Sequence, residues 1–587
     1  MTKKLLSGNE AVARGAYEAG VTFAAGYPGT PSTEILETIA GKYKDVIYAE
    51  WSPNEKVAFE AAAGAAFAGA RVITTMKHVG LNVAADPLMT LAHIGTVGGF
   101  VAVVADDPGM HSSQNEQDTR HYARFAKIPV LEPSDSEEAK EFVKLSMQIS
   151  EEFSTPVILR MTTRTSHSRS LVTETARQET GREITFEKNP PRYIPIPIWG
   201  RPMRHKVEER IRKLCRYGTG FAANKIIWND KRYGIITSGI AYQYVREVFP
   251  DVSVLKLGMP FPFPDELIKT FAAGVGEVFV VEELDDFLEE HIKALGIPCH
   301  GKDILPNIGE LSPDVLLKNP LFKNAPTTAL TADQDSIHTL PDLPARPPVL
   351  CPGCPHRGIF YALGRLDVVV TGDIGCYSLG VFPPLSRMDT ILCMGGGISM
   401  AHGIEKAQRN RKQPQKIVGI VGDSTFFHSG ITGLLDIAYN KGASTIIVAD
   451  NRITAMTGYQ DNPGSGRTLM GESTGEVSIE ELGRACGLKN VRTVDPRDIQ
   501  TAAAMLKAAT ESAEPWLIIS KSPCPQHLRQ LPGPPLSVTE KICRKCQVCL
   551  KLGCPALEKI GGRIRINELL CAGCGMCRNI CPARAIG

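Results

Sequence analysis

Eight cysteines near one end limit this chain more than any other feature. They read Cys543-x2-Cys546-x2-Cys549-x4-Cys554-Pro555 and Cys571-x2-Cys574-x2-Cys577-x3-Cys581-Pro582. Three thiolates at this interval, closed by Cys-Pro, form the spacing that wraps a [4Fe–4S] cluster. Two runs predict two clusters. Where two such runs fold around each other, the last cysteine of each serves the cluster of the other. Cluster one then takes Cys543, Cys546, Cys549 and Cys581, and cluster two takes Cys571, Cys574, Cys577 and Cys554. A zinc ribbon is the alternative, but zinc needs only four ligands per site, in pairs that usually lie well apart. The first run has four residues before Cys554 instead of three, which predicts a one-residue bulge. Such clusters move one electron at a time, so the tail implies a redox reaction elsewhere in the chain.

At 587 residues the chain is expected to hold several domains, about four. Hydrophobic residues make up 43% of it, enough for large cores. A net charge of +2 gives no broad basic surface for nucleic acid. The opening residues Met1 to Gly8 lack the apolar core of a signal peptide, and no uncharged stretch is long enough to span a membrane. Sixteen cysteines without an export signal point to a reducing cytoplasm and metal ligation.

Apolar, strand-like runs alternate with helical patterns from residue 1 to 175; Phe100 to Ala105 and Pro156 to Leu159 are strands, and Val57 to Ala70 is a helix. That alternation predicts α/β architecture with a parallel sheet covered on both faces. Residues 176–230 are charged and proline-bearing and form a connecting segment. A second α/β unit covers 231–304, with strands at Tyr233 to Thr237 and Glu277 to Val281. Residues 305–349 read as a linker, 350–525 as a third α/β unit, and 538–587 as the cluster domain. Whether the first and third units share a shape is left open by the sequence.

The third unit carries a diphosphate and metal pattern. The apolar strand Lys416 to Val421 runs into Gly422-Asp423-Ser424; a helix from Ser429 to Asn440 follows, then a strand from Ser444 to Ala449 ending at Asp450-Asn451. A right-handed crossover makes these strands parallel and brings Asp423 and Asn451 to their carboxyl ends, where open α/β sheets bind ligands. A carboxylate, an amide oxygen and a backbone carbonyl suit Mg²⁺. Gly422 permits close backbone approach, and a helix N-terminus favours a diphosphate. Taken alone, Asp423 reads as a helix cap; Asn451 one crossover later changes that. The pattern resembles the thiamine diphosphate motif. That resemblance implies Asp423, Asn451 and the Ile453 carbonyl on Mg²⁺, with Gly422 and Ser424 on the diphosphate. Gly395-Gly396-Gly397 resembles the glycine-rich helix start of the same domain.

Two segments of the first unit resemble 2-oxoacid:ferredoxin oxidoreductases. In that family a glutamate hydrogen-bonds N1′ of the aminopyrimidine and so promotes removal of the C2 proton. Glu50, Glu55 and Glu60 are candidates; the resemblance selects Glu55, fourteen residues before Gly69. Local rules give it another role, because Ser52-Pro53-Asn54-Glu55 has the form of a capping box with Pro53 opening the helix. Gly26-Tyr27-Pro28-Gly29-Thr30-Pro31-Ser32 reads locally as a turn with Thr30 as N-cap and Pro31 at the first helical position. It also resembles the family's Tyr-Pro-x-Thr-Pro-Ser motif, which implies that Thr30 faces substrate and cofactor.

Cys351-Pro352-Gly353-Cys354-Pro355-His356 and Gly372-Asp373-Ile374-Gly375-Cys376 open the third unit. A zinc site from Cys351, Cys354 and Cys376, completed by Cys393 or His356, is one reading. The other is that Cys354, Gly375 and Cys376 line the thiamine pocket without metal, as similar segments do in the family. The Pro-His continuation is similar to the indolepyruvate branch. His356 either touches an aryl 2-oxoacid or caps a turn.

The resemblance covers nearly the whole chain. It implies a pyrimidine-binding domain, a transketolase C-terminal-like domain, a diphosphate-binding domain and a two-cluster tail. It further implies oxidative decarboxylation of an aryl 2-oxoacid with coenzyme A, electrons passing to ferredoxin, and a smaller β subunit of the γ-domain type in an α₂β₂ assembly. Two other readings stay open. A non-redox thiamine decarboxylase would not need the tail, and an electron-carrying subunit with a relic fold would hold no thiamine diphosphate.

Overall fold

The computed structural model describes residues 2–179, 181–318, 348–528 and 531–587. The chain forms two compact units, Met1–Thr339 and Leu340–Gly587.

In the first unit six strands form a wholly parallel sheet: Phe23–Gly26, Tyr48–Trp51, Val72–Lys77, Phe100–Asp106, Val130–Leu131 and Val157–Thr162. Every residue of Phe100–Asp106 is buried, as a strand covered on both faces requires. The second unit contains another six-stranded parallel sheet, built from Val369–Gly372, Thr390–Ile391, Ile417–Gly422, Thr445–Asp450, Asn490–Val494 and Trp516–Lys521. Counted along the chain, both sheets have the spatial order 2-1-3-4-6-5. The sequence left their kinship open; the topology shows two copies of one architecture.

Between them in sequence lies a four-stranded sheet of Lys225–Ile227, Asp230–Ser238, Val252–Leu257 and Glu277–Val281. Its edge strand Lys225–Ile227 pairs antiparallel, so this unit starts before residue 231. It also runs on into the expected linker: Leu305, Leu311 and Leu316 belong to its core. Residues 319–347 of that linker lie outside the described residues. The connecting segment contains a long helix, Pro197–Thr219, which buries Met203, Val207, Arg210 and Leu214. Arg210 donates to the Ser154 carbonyl at 3.2 Å and to the Ala92 carbonyl, fastening the helix to the first sheet's layer. A buried ionic network ties the layer of the six-stranded sheet to the four-stranded sheet of this unit. Arg120 donates to Asp118 and, at 2.6 Å, to Glu282, while Arg160 donates to Asp106 at 2.6 Å and Glu132 at 2.9 Å.

Two local readings are corrected. The helix Glu55–Phe67 is capped by Asn54, whose side chain accepts from the Val57 amide at 2.9 Å, not by Ser52. Pro53 therefore precedes the helix, and Glu55 occupies its first position instead of closing a capping box. Asn54 wins because its backbone is extended and its short amide reaches an amide two residues into the helix. Likewise Thr30 is not an N-cap: the helix is Thr33–Lys42, and Ser32 precedes it, its hydroxyl donating to the Gly29 carbonyl at 2.9 Å.

Asn54→Ala is expected to destabilise the first unit by about 1 kcal/mol, and Ser52→Ala by less. Urea unfolding of both variants checks this; equal costs would restore Ser52 as the cap.

Candidate active site

In the first unit the candidates gather at the carboxyl ends of neighbouring strands. Phe23–Gly26 delivers the turn bearing Thr30, and Val72–Lys77 ends beside it. The Lys77 stem packs on Gly29, where an added Cβ would lie 3.3 Å from Lys77 Cγ. Lys77 Nζ donates to the Ser112 carbonyl at 2.8 Å, and the Ser112 hydroxyl donates to the Thr30 carbonyl at 3.3 Å. Burial pushes the Lys77 ammonium down to about 8, against the pull of Asp107 and Glu55. Asp107 accepts from the Ser112 amide at 2.8 Å and the Ser113 and Thr163 hydroxyls at 2.6 and 2.7 Å. Although burial opposes it, these donors hold Asp107 below the ordinary carboxylate range.

Glu55 is buried in this cluster. Glu50 and Glu60 are not. Gly80 makes room for it: an added Cβ at residue 80 would stand 2.6 Å from Glu55 Oε1 and 2.9 Å from Cδ. Sequence reasoning missed Gly80 because a glycine in a short helix carries no signal of what lies across from it.

In the second unit Asp423 stands at the end of Ile417–Gly422 and is buried. Its described partner is an amide, Asn462 Nδ2, donating at 3.2 Å. Burial, with Asp450 nearby, pushes the Asp423 carboxyl up to about 7. A buried carboxylate facing an amide, with a second acid nearby, suits a divalent ion. Asn451 and Ile453 are buried at the end of Thr445–Asp450, with the Ile453 amide donating to Asn451 Oδ1 at 3.3 Å. Ser424 accepts a hydrogen bond from the Thr454 hydroxyl at 3.0 Å. The structure thus brings Asp423, Ser424, Asn451 and Ile453 together at one sheet edge. Asn462 lies on the following loop, where no spacing rule points to it.

A second acid reinforces the fit to a polar ligand. Asp373 is wholly buried; one oxygen accepts the Gly395 amide at 2.7 Å, and the other has no hydrogen-bond partner. Burial raises this carboxyl well above its ordinary value. Gly395 adopts a left-handed φ of 80° at the mouth of the helix Gly396–Ala407, and a Cβ there would meet Ser429 Oγ at 2.8 Å. The helical stretch after Asp423 contains a π-helical turn, Phe426–Gly430, that carries His428 and Ser429. Such turns are frequent at functional sites. Gly375 and Gly422 bracket the Tyr377 ring, since an added Cβ would lie 2.4 Å and 2.8 Å from it. His356 packs edge-on to that ring, 6.1 Å between centroids, and burial pushes its imidazole down to about 4. Cys354 is buried and its thiol raised to about 12 by that burial; Cys376 is raised by burial to about 11.

Zinc holds sulfur at about 2.3 Å, so its thiolates stand roughly 4 Å apart. Among the described residues the one group of three His, Cys, Asp or Glu ligand atoms within 4.8 Å of one another is Asp118, His121 and Asp285, which holds no cysteine. Neither the Cys351, Cys354, Cys376 set nor the tail has that geometry.

The tail packs on the third α/β unit, sharing a core in which Leu552, Ile564, Met576 and Ile580 meet Leu350, Ile359 and Phe360. Cys554, Cys571, Cys574 and Cys577 line one cavity together with Gly353 and Arg357. Cys549 instead neighbours Cys581 and Cys546. The last cysteine of each run therefore lies with the opposite run. The expected bulge is a 3₁₀ turn, Val548–Leu552, followed by Gly553 at φ 63°. Backbone amides of Leu536 and Ala585 donate to the sulfurs of Cys571 and Cys581 at 3.4 and 3.3 Å.

Comparisons with known proteins agree with this anatomy. Residues 14–207 match the family described as pyruvate flavodoxin/ferredoxin oxidoreductase, thiamine diP-bdg. Residues 373–520 match thiamine pyrophosphate enzyme, C-terminal TPP binding domain, and residues 564–587 match 4Fe-4S binding domain. The indolepyruvate oxidoreductase subunit IorA of Methanothermobacter marburgensis is 42% identical, covering 99% of this chain and 96% of its own. That of Pyrococcus horikoshii is 41% identical over the same shares of the two chains. A 2-oxoglutarate synthase subunit KorA from M. marburgensis is 24% identical over 52% of this chain and 94% of its own.

Fold and family matches together define a thiamine diphosphate-dependent 2-oxoacid:ferredoxin oxidoreductase with an iron–sulfur domain. Within that class the chain belongs to the family of indolepyruvate oxidoreductase subunits IorA. No helix among the described residues is long and apolar enough to cross a membrane.

Gly80→Ala is expected to leave the fold intact while displacing the Glu55 carboxylate, lowering turnover roughly 100-fold. Circular dichroism and dye reduction by the same sample check both halves; full turnover would show that Glu55 tolerates displacement.

Proposed function

We propose that this chain is the large subunit of an enzyme that oxidatively decarboxylates aryl 2-oxoacids of the indolepyruvate type. In balanced form, one 2-oxoacid, coenzyme A and two oxidised ferredoxins yield an aryl-acetyl-CoA, CO₂, two reduced ferredoxins and a proton. The near-full-length likeness to indolepyruvate oxidoreductase subunits supports the substrate class. The single observation that carries the chemistry is the buried Asp423 carboxylate at one strand end with Asn451 and Ile453 buried at the end of the neighbouring strand.

In this reading Asp423, Asn451 and the Ile453 carbonyl hold Mg²⁺. Gly395, Gly396, Gly422 and Ser424 receive the diphosphate. Gly375, Cys354 and Cys376 line the cofactor pocket. Thiamine diphosphate supplies, when bound, the carbanion and the electron sink that decarboxylation requires. Glu55 holds the hydrogen bond to the aminopyrimidine N1′, and Thr30 faces the substrate. His356, kept neutral by burial, offers the 2-oxoacid a ring nitrogen without a charge. Cys543, Cys546, Cys549 and Cys581 ligate one [4Fe–4S] cluster; Cys571, Cys574, Cys577 and Cys554 ligate the other. In this reading the domain boundaries are kept as read from sequence, with the central domain extended to residues 225–318. A β subunit of the γ-domain type completes an α₂β₂ assembly in the cytoplasm.

Anaerobic assays of the reconstituted complex with indolepyruvate, phenylpyruvate, hydroxyphenylpyruvate and pyruvate, with coenzyme A and a viologen, test the substrate class. Aryl acids are expected to turn over at least tenfold faster than pyruvate; the reverse order would overturn the assignment. Glu55→Gln is expected to retain bound thiamine diphosphate yet lose turnover by about 10³-fold. Near-normal turnover in that variant would remove Glu55 from its role. Deleting residues 540–587 is expected to stop ferredoxin reduction, measured by its visible absorbance.

A further inference from the structure

Arg357 is a buried cation that, among the described residues, forms no ion pair with an Asp or Glu. Only 2% of its surface is exposed. Its Nε donates to the Cys351 carbonyl at 3.3 Å, and Nη2 donates to the Leu350 carbonyl. Its Nη1 donates to the Leu552 and Gly553 carbonyls at 3.0 and 2.6 Å. The first pair belongs to the Cys351–Cys354 loop and the second to the turn that delivers Cys554. Carbonyl dipoles satisfy the donors but leave the charge uncompensated. Four cysteine sulfurs stand close enough to act on this guanidinium when ionised, Cys554 foremost, then Cys354, Cys351 and Cys574, and of these Cys554 and Cys574 belong to the second cluster set. Arg357 also lines the cavity shared by Cys554, Cys571, Cys574 and Cys577. The loop reaches this run directly: a Cβ on Gly353 would lie 2.6 Å from that of Ala572.

We propose that Arg357 is a positioning residue that sets the potential of cluster two. This rests on the two-cluster reading above. A cluster held by four thiolates is anionic and gains one further negative charge when it accepts an electron. No bond is made or broken, and no proton moves, because a guanidinium stays charged. The electron comes from oxidation of the 2-oxoacid and leaves to ferredoxin. A fixed cation in a low-dielectric cavity favours the reduced form and raises its potential. The same side chain ties the cofactor-lining loop to the turn before Cys554. Two of the four residues between Cys549 and Cys554, Leu552 and Gly553, supply carbonyls for Arg357.

The test is an EPR-monitored redox titration of the anaerobically reconstituted complex, wild type against Arg357→Gln and Arg357→Lys. Iron content and the visible spectrum first establish whether both clusters are present; their absence from wild type would defeat the two-cluster reading itself. With both present, Arg357→Gln is expected to lower the reduction equilibrium of one cluster at least tenfold, about 59 mV for one electron. The other cluster should be unmoved. Arg357→Lys, which keeps the charge, should stay near wild type. Unchanged potentials in Arg357→Gln would overturn the proposal. If Arg357→Gln loads only one cluster, Arg357→Lys decides: both clusters at wild-type potentials support it, and loss of the second cluster there also overturns it.

Discussion

A parallel sheet covered on both faces has room for charge chiefly toward its strand ends, and Arg160, buried within Val157–Thr162, is matched there by Asp106 and Glu132. That constraint governs this chain. Residues along Phe100–Asp106 and Ile417–Gly422 are buried to the last position, and the polar chemistry begins where each strand stops. Lys77, Asp106, Gly422 with Asp423, and Asp450 with Asn451 all mark such ends. Because both sheets have the same strand order, each unit presents its functional edge by the same device. The first end carries Glu55, Asp107, Lys77 and hydroxyls; the second carries the buried acids Asp373 and Asp423.

The tail extends the second unit's logic. Its cysteines are embedded in a core shared with the diphosphate-type sheet, so the redox domain is not a loosely tethered appendage. Burial is also what gives charges there their reach. A guanidinium satisfied by four carbonyls retains its full field in a site that excludes water. Main-chain amides aimed at Cys571 and Cys581 act in the same direction, since hydrogen bonds to sulfur stabilise added negative charge.

Much of the architecture was legible from pattern. Apolar runs of strand length alternating with helices announce a parallel α/β design, and Glu277–Val281 falls where that pattern puts it. Boundaries were less legible. Lys225–Ile227 is a three-residue edge strand without a strong apolar signal, and residues 305–318 look like linker because three spaced leucines make no periodic pattern. Caps misled most. Ser52-Pro53-Asn54-Glu55 satisfies a capping box in letters, yet Asn54 takes the cap and releases Glu55 to the first helical position. Two competent capping residues stood two apart, and only the incoming chain direction chose between them.

The sequence by itself determined the chemistry that depends on intervals along the chain. Cysteine runs, and an Asp and Asn one crossover apart, are short-range facts that hold whatever surrounds them. Only the tertiary structure decided what depends on approach from elsewhere. Gly80 opens space for Glu55, Asn462 reaches Asp423, and Arg357 bridges a loop to a turn nearly two hundred residues away. Each is a contact between segments whose separation carries no period, so no spacing rule encodes it. Burial then gives such contacts their electrostatic strength, because it removes the water that would otherwise screen them.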